Sequence, residues 1–191
     1  MEVQLLLSIA LGVGLSAACG FRIFVPFTIM SIAALGGYLD LANSFAWIGT
    51  YPALIAFATA TVLEVAAYYV PWLDNLLDTL TTPAAIIAGT IATASVVTDM
   101  SPLLTWVLAV IAGGGTAGII QAGTALLRGT SSATTGGLGN PVIATGELAG
   151  SIFTSVLALA LPGLALLVAV VFLIIVIRRL TRRRSHVNQV A

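Results

Sequence analysis

Residues 148–177 contain no charged side chain, and only Pro162-Gly163 interrupts their apolar run. A helix rises about 1.5 Å per residue, so this run is longer than one bilayer is thick. It reads as one kinked, tilted membrane helix or as two short ones. Five further apolar segments precede it, at residues 3–18, 21–35, 51–70, 83–97 and 103–127. Charged residues make up 7% of the chain, and the mean hydropathy is +1.12. A soluble domain carries about a quarter charged residues, enough to cover its surface. This chain cannot cover a globular surface that way. Alternating ten-residue strands of the barrel kind are absent. The expected fold is all-α, a polytopic transmembrane bundle of about six segments, some short, broken or re-entrant.

The charge that does occur is concentrated. Arg178, Arg179, Arg182, Arg183 and Arg184 follow the last apolar run, and there is no lysine. Arginines beside a span mark its cytoplasmic end. Residues 1–180 are therefore expected to form one transmembrane domain, and 181–191 a basic cytoplasmic tail. Six segments would put both termini in the cytoplasm. The acidic stretch near residues 71–80 and the polar stretch 128–146 would then face outward. Membrane lipids are the expected surroundings. Nucleic acid is not an expected partner, because the basic residues form one short run and no surface. The glycine-rich helix faces, such as Gly114-x-x-x-Gly118, could also bring copies of the chain together.

Cys19 is the single cysteine, so neither an internal disulfide nor a cysteine metal cluster is expected. The region before it begins Met1-Glu2 without a basic residue, unlike a signal peptide, and is read as part of the mature bundle. His186 is the single histidine and lies in the tail. No Ser/His/Asp or Cys/His set can be assembled inside the membrane. Neither enzyme activity, a cofactor nor a metal is expected.

Charges within apolar segments are costly and point to function. Arg22 follows the small-residue run Ser16-Ala17-Ala18-Cys19-Gly20, where the chain is expected to break. Glu64 lies inside the 51–70 segment. Asp74 and Asp78, four residues apart, share one face of a helical turn. Arg128 and Glu147 flank a Gly/Ser/Thr-rich stretch, 128–146, that reads as a flexible loop or a lid. The simplest pairing sets Arg22 against Glu64, or against Asp74 or Asp78. The run Gly113-Gly114-Gly115 reads as close helix packing, or as a partly unwound segment. A faint symmetry, with a Gly-rich segment, an arginine and a glutamate in each half, is what a transporter repeat would leave.

Several of these residues also carry a family resemblance. Gly20-Phe21-Arg22-x-Phe24-x-Pro26, then Glu64, then Pro71-x-x-Asp74-x-x-x-Asp78, then Asn140-Pro141, resemble the bacterial membrane family known as domain of unknown function 4126. The likeness covers residues 5–177. Thr82 stands where the family pattern has a basic residue. The resemblance implies a small multi-pass protein of the bacterial cytoplasmic membrane and brings no activity with it. It adds weight to Arg22, Glu64, Asp74 and Asp78 as one constellation. The expected function is a small transporter or channel for an ion or small polar solute. Its candidate site residues are Arg22, Glu64, Asp74, Asp78, Arg128, Asn140 and Glu147. The alternative is a lipid-interacting or structural membrane protein in which the same charges form only a salt bridge.

Overall fold

The structure, a computed structural model, describes residues 2–69 and 71–187, with side chains at 2–69 and 80–178. The chain is all-α, and its centre is α1 (Glu2–Cys19), which is buried almost continuously from Gly12 to Cys19. Gly20 ends it at a crossing: a Cβ there would lie 2.7 Å from the Ala117 carbonyl and 2.7 Å from Ile120. A tight turn follows, and α2 (Phe24–Leu35) leaves from it. Pro26 falls in the first turn of α2, where the missing N–H has no intrahelical partner to lose. A left-handed Gly37 (φ 73) closes α2, with the Tyr38 N–H on the Ala33 carbonyl at 2.8 Å.

A 3-10 segment (Asn43–Gly49) leads into α3 (Tyr51–Ala67), which meets it at 66°. Helix α3 packs along α2, through stacked Phe27 and Phe57 rings 5.2 Å apart and a Thr28–Thr61 hydrogen bond of 2.9 Å. The outer face of α3 is exposed, and Ala53 is its one buried residue.

Two expected breaks are absent. Pro83 was expected to open a helix, but it lies inside a continuous α4 (Pro71–Val96). The lost backbone bond is tolerated in a membrane helix, where neighbouring groups satisfy what the proline frees. Residues 128–146 were expected to form a loop or lid. Instead, α6 (Gly115–Thr135) and α7 (Asn140–Ala160) enclose a turn of residues 136–139. The hydroxyls explain this. Thr130, Thr134 and Thr135 donate to the carbonyls of Leu126, Thr130 and Ser131 at 2.7–2.8 Å, four residues back, so their polarity is spent within the helix. Left-handed Gly136 and Gly137 then end α6.

Helix α6 continues α5 (Pro102–Leu108) through a π-helical segment (Ala109–Gly114), one rod of 34 residues. The triple glycine is thus both close-packed and irregular. Gly89 on α4 faces Gly113 and Ser16 so closely that a Cβ at 89 would lie 2.6 Å from the Ala117 side chain. Ser16 Oγ donates to the Gly113 carbonyl, and Thr93 Oγ1 donates to the Gly12 carbonyl at 3.0 Å. The apolar run 147–177 resolves into two helices, α7 and α8 (Pro162–Val187). They part at Leu161, which the following proline excludes from the helical region (φ −141, ψ 71). Helix α8 runs unbroken past residue 180.

Among the described residues three helices, Glu2–Cys19, Pro102–Thr135 and Asn140–Ala160, are long and apolar enough to cross a membrane, and the bent pair ending at Ala67 is a fourth if it is taken as one span. Phe24–Leu35, Leu80–Val96 and Pro162–Arg178 are shorter apolar helices. The contacts fix their directions. Gly14 meets Ala165 and Phe21 meets Phe172, so α1 and α8 run parallel. Gly12 meets Thr93 and Gly89 meets Ser16, so α4 runs against α1. The start of α1 and the end of α8 therefore lie at opposite ends of the bundle. This corrects the expectation that both termini share a side: the run counted as one segment is two. The start of α4, with Asp74 and Asp78, lies at the same end as the tail arginines, not opposite them.

The glycine crossing generates a test. Gly89→Val inserts methyls against Ala117 and Gly113 and costs about 1–3 kcal/mol by overpacking. Gly146→Ala, with nothing within 4 Å of the new Cβ, leaves stability unchanged or slightly raised. Thermal unfolding in detergent separates the two; equal midpoints would show that the crossing is not tight.

Candidate functional site

The turn after α1 is held from outside. The Ile23 N–H donates to Glu64 Oε1 at 2.8 Å, and the Phe24 N–H donates to Oε2 at 3.1 Å. Glu64, on α3, thus caps the start of α2 with both carboxylate oxygens. A charged acceptor on two amides at a helix N-terminus is a strong arrangement. The expected Arg22–Glu64 pair is therefore replaced by a cap, because the amides next to Arg22 take the carboxylate first.

Arg22 turns the other way, toward α7. Its Nη2 donates to the Ala144 carbonyl at 2.8 Å and lies 3.4 Å from Glu147 Oε2. Glu147 faces a second arginine. Arg128 Nε donates to Glu147 Oε1 at 3.0 Å, and Arg128 Nη2 to Oε2, a bidentate pair. The short turn between α6 and α7 makes these helices antiparallel neighbours, which brings residues 128 and 147 together. Arg22 and Arg128 are each 1% exposed and Glu147 4%, so the cluster lies out of contact with solvent and lipid.

Tyr68, one residue past α3, completes the cluster. Its ring centroid lies 3.8 Å from the Arg22 guanidinium carbon and 4.1 Å from that of Arg128. Desolvated cation–π contacts of this kind contribute about 2 kcal/mol each. Gln121 Nε2 donates to Thr81 Oγ1 at 2.9 Å, tying α6 to α4. Tyr69 and Thr145 share a hydrogen bond of 2.9 Å. The last turn of α3 and the two residues after it thus make three polar attachments, through Glu64, Tyr68 and Tyr69.

Asn140 lies in the first turn of α7, two turns before Glu147, and its Nδ2 donates to Ser132 Oγ at 3.1 Å. The structure brings Arg22, Arg128 and Glu147 into contact, sets Glu64 at the neighbouring turn and places Asn140 further along α7. The Asp74 and Asp78 side chains lie outside the described residues. Sequence reasoning missed Tyr68, although its spacing four residues after Glu64 puts both on one helix face. It also missed the buried polar stripe of α7, formed by Asn140, Glu147, Ser151, Thr154 and Ser155. Its helical spacing is visible in the sequence.

The family model for a domain of unknown function, DUF4126, matches residues 9–182, so the chain belongs to that family. No curated protein and no solved structure matches the chain.

The geometry ranks the carboxylates. Glu147→Ala removes the carboxylate from between two buried guanidiniums and should cost about 3–5 kcal/mol, as breaking a buried ion pair does. Glu64→Gln keeps one oxygen for the amides and should cost about 1–3 kcal/mol. Thermal unfolding of the two variants in one detergent checks the order, and a reversed order would remove Glu147 from the centre of the cluster.

Proposed function

We propose that this DUF4126 protein is a small transporter or channel for an ion or small polar solute, with its site at Arg22, Tyr68, Arg128 and Glu147. One observation carries the reading. Arg22 is buried, yet its Nε and Nη1 have no hydrogen-bond partner among the described residues. A buried polar group without a partner costs about 1–3 kcal/mol, more when it is charged. A clasp that only held helices together would use its donors. Donors held ready inside a bundle suit a solute that comes and goes.

The surroundings support the same reading. The polar stripe of α7 runs from Asn140 to Ser155, roughly 22 Å at helical rise, a polar line through an apolar bundle. Ser155 Oγ, also buried, has no partner among the described residues. The site lies at a helix break, and the π segment and the turn of residues 136–139 supply further irregular backbone, the pattern of solute sites in broken-helix transporters. In this reading the tail arginines mark the Arg22 end as the cytoplasmic side of a bacterial inner membrane. The start of α1 would then be outside.

A second reading rests on the bidentate Arg128–Glu147 pair, which by itself is a complete structural clasp within a lipid-embedded protein. Reconstitution separates the readings. Purified protein in phosphatidylcholine vesicles should speed light-scattering shrinkage or swelling in at least one of a panel of salts and polyols, relative to protein-free vesicles. Arg22→Gln should cut that rate at least tenfold. Rates equal to protein-free vesicles across the panel would leave the clasp.

A further inference from the structure

We propose that the free edge of Arg22 binds a small oxyanion, entering from the end of the bundle that carries the C-terminal arginines. The assignment rests on the transport reading above and gives it a substrate class.

The guanidinium has five N–H groups in one plane. Nη2 is taken by the Ala144 carbonyl and leans toward Glu147. Nε and Nη1 hold the other three N–H groups, and neither has an acceptor among the described residues. The Tyr68 ring covers a face of the guanidinium at 3.8 Å, so a ligand approaches in the plane, along the edge. It must bring oxygen lone pairs and no donors of its own. A carboxylate or a phosphate-type group meets both demands.

The carboxylate oxygens described around the site are already engaged. Of the two buried carboxylates described here, Glu147 is bidentate on Arg128, and Glu64 has both oxygens on the Ile23 and Phe24 amides. Neither carboxylate takes the Nε and Nη1 edge of Arg22, with Glu147 Oε2 reaching only Nη2 at 3.4 Å. A cation would find no lone pair on that edge, which offers N–H groups alone. A third observation comes from the fold. Helices α1 and α8 run parallel, so α8 carries Arg178, Arg179, Arg182, Arg183 and Arg184 out of the Arg22 end of the bundle. Asp74 and Asp78 start α4 at that end, two negative charges against five positive. That balance of charge along the chain at the Arg22 end favours anions over cations there.

Two measurements test this. In the first, thermal unfolding of the full chain in detergent is followed in potassium phosphate and in potassium chloride at equal ionic strength. Phosphate should raise the Tm by several degrees over chloride. The shift should vanish in Arg22→Gln and shrink in Arg22→Lys, which keeps the charge without the planar edge. Equal Tm values of the wild-type chain in the two salts overturn the assignment, whether or not the variants fold. In the second, phosphatidylcholine vesicles containing the protein are offered phosphate, rubidium and glycerol. Phosphate uptake supports the proposal. Uptake confined to rubidium or glycerol overturns the oxyanion while leaving transport in place. To separate a headgroup from a free ion, phosphatidylglycerol is added to the detergent sample. An Arg22-dependent stabilisation by that lipid alone, without phosphate uptake, keeps the oxyanion chemistry, assigns it to a lipid phosphate and sets the transport reading aside.

Discussion

One carboxylate between two arginines is the constraint around which this bundle is arranged. Placing a single arginine at the centre of a membrane helix costs roughly 2.5–3.5 kcal/mol on insertion scales, and here two are fully buried. Glu147 meets both, and Tyr68 lies against both guanidiniums. These groups come from the α1–α2 turn, α6, α7 and the end of α3. The charge cluster can form only when all four places are brought to one end of the molecule. The apolar helices fill the remaining volume, and small residues let them approach: Gly14 sits between Ala158 and Ala165, and Gly89 sits against Gly113. Apolar packing against apolar lipid is weakly directional. The buried ions, which tolerate few arrangements, supply specificity.

Much of this was legible in the sequence, for reasons that can be separated. The membrane class and the helical fold follow from charge-free runs that no soluble surface could absorb. The break at Gly20 and the importance of Arg22 follow from an arginine set beside small residues and a proline. The close glycine packing at residues 113–118 follows from spacing. The partner of Arg22 was not legible. Glu64 was the nearest carboxylate within an apolar segment, but it lies beside two otherwise unsatisfied amides at a helix start, which are better partners than a guanidinium that can reach elsewhere. Chain proximity carries no information about that competition.

Two other misreadings share a cause. The threonines and serines of residues 128–146 signal a loop by composition, yet each hydroxyl can return its hydrogen bond to the previous helical turn. Thr130, Thr134 and Thr135 do so, and α6 extends to Thr135. Pro83 signals a helix start, yet α4 continues through it, as membrane helices tolerate. Composition rules calibrated on water-exposed chains overstate how often such residues end a helix. The topology error followed directly. Counting 147–177 as one passage, when Leu161-Pro162 divides it into two, reversed the side assigned to the first helix.

The π segment at Ala109–Gly114 sets the azimuth of everything after it. Successive residues of an α-helix are about 100° apart around the axis, and a wider turn holds one residue more than its neighbours. Helix α5 has no buried residue, whereas α6 presents Ala117, Ile120, Gln121, Thr124 and Arg128 inward. The wide turn is the phase adjustment between a helix that faces lipid and one that faces the bundle. Tightening that turn to regular α-helix with every residue kept would leave the rod straight and its hydropathy unchanged. It would also swing Arg128 about a quarter-turn off Glu147. The alignment of a buried charge almost four helical turns away is therefore stored in the width of one turn.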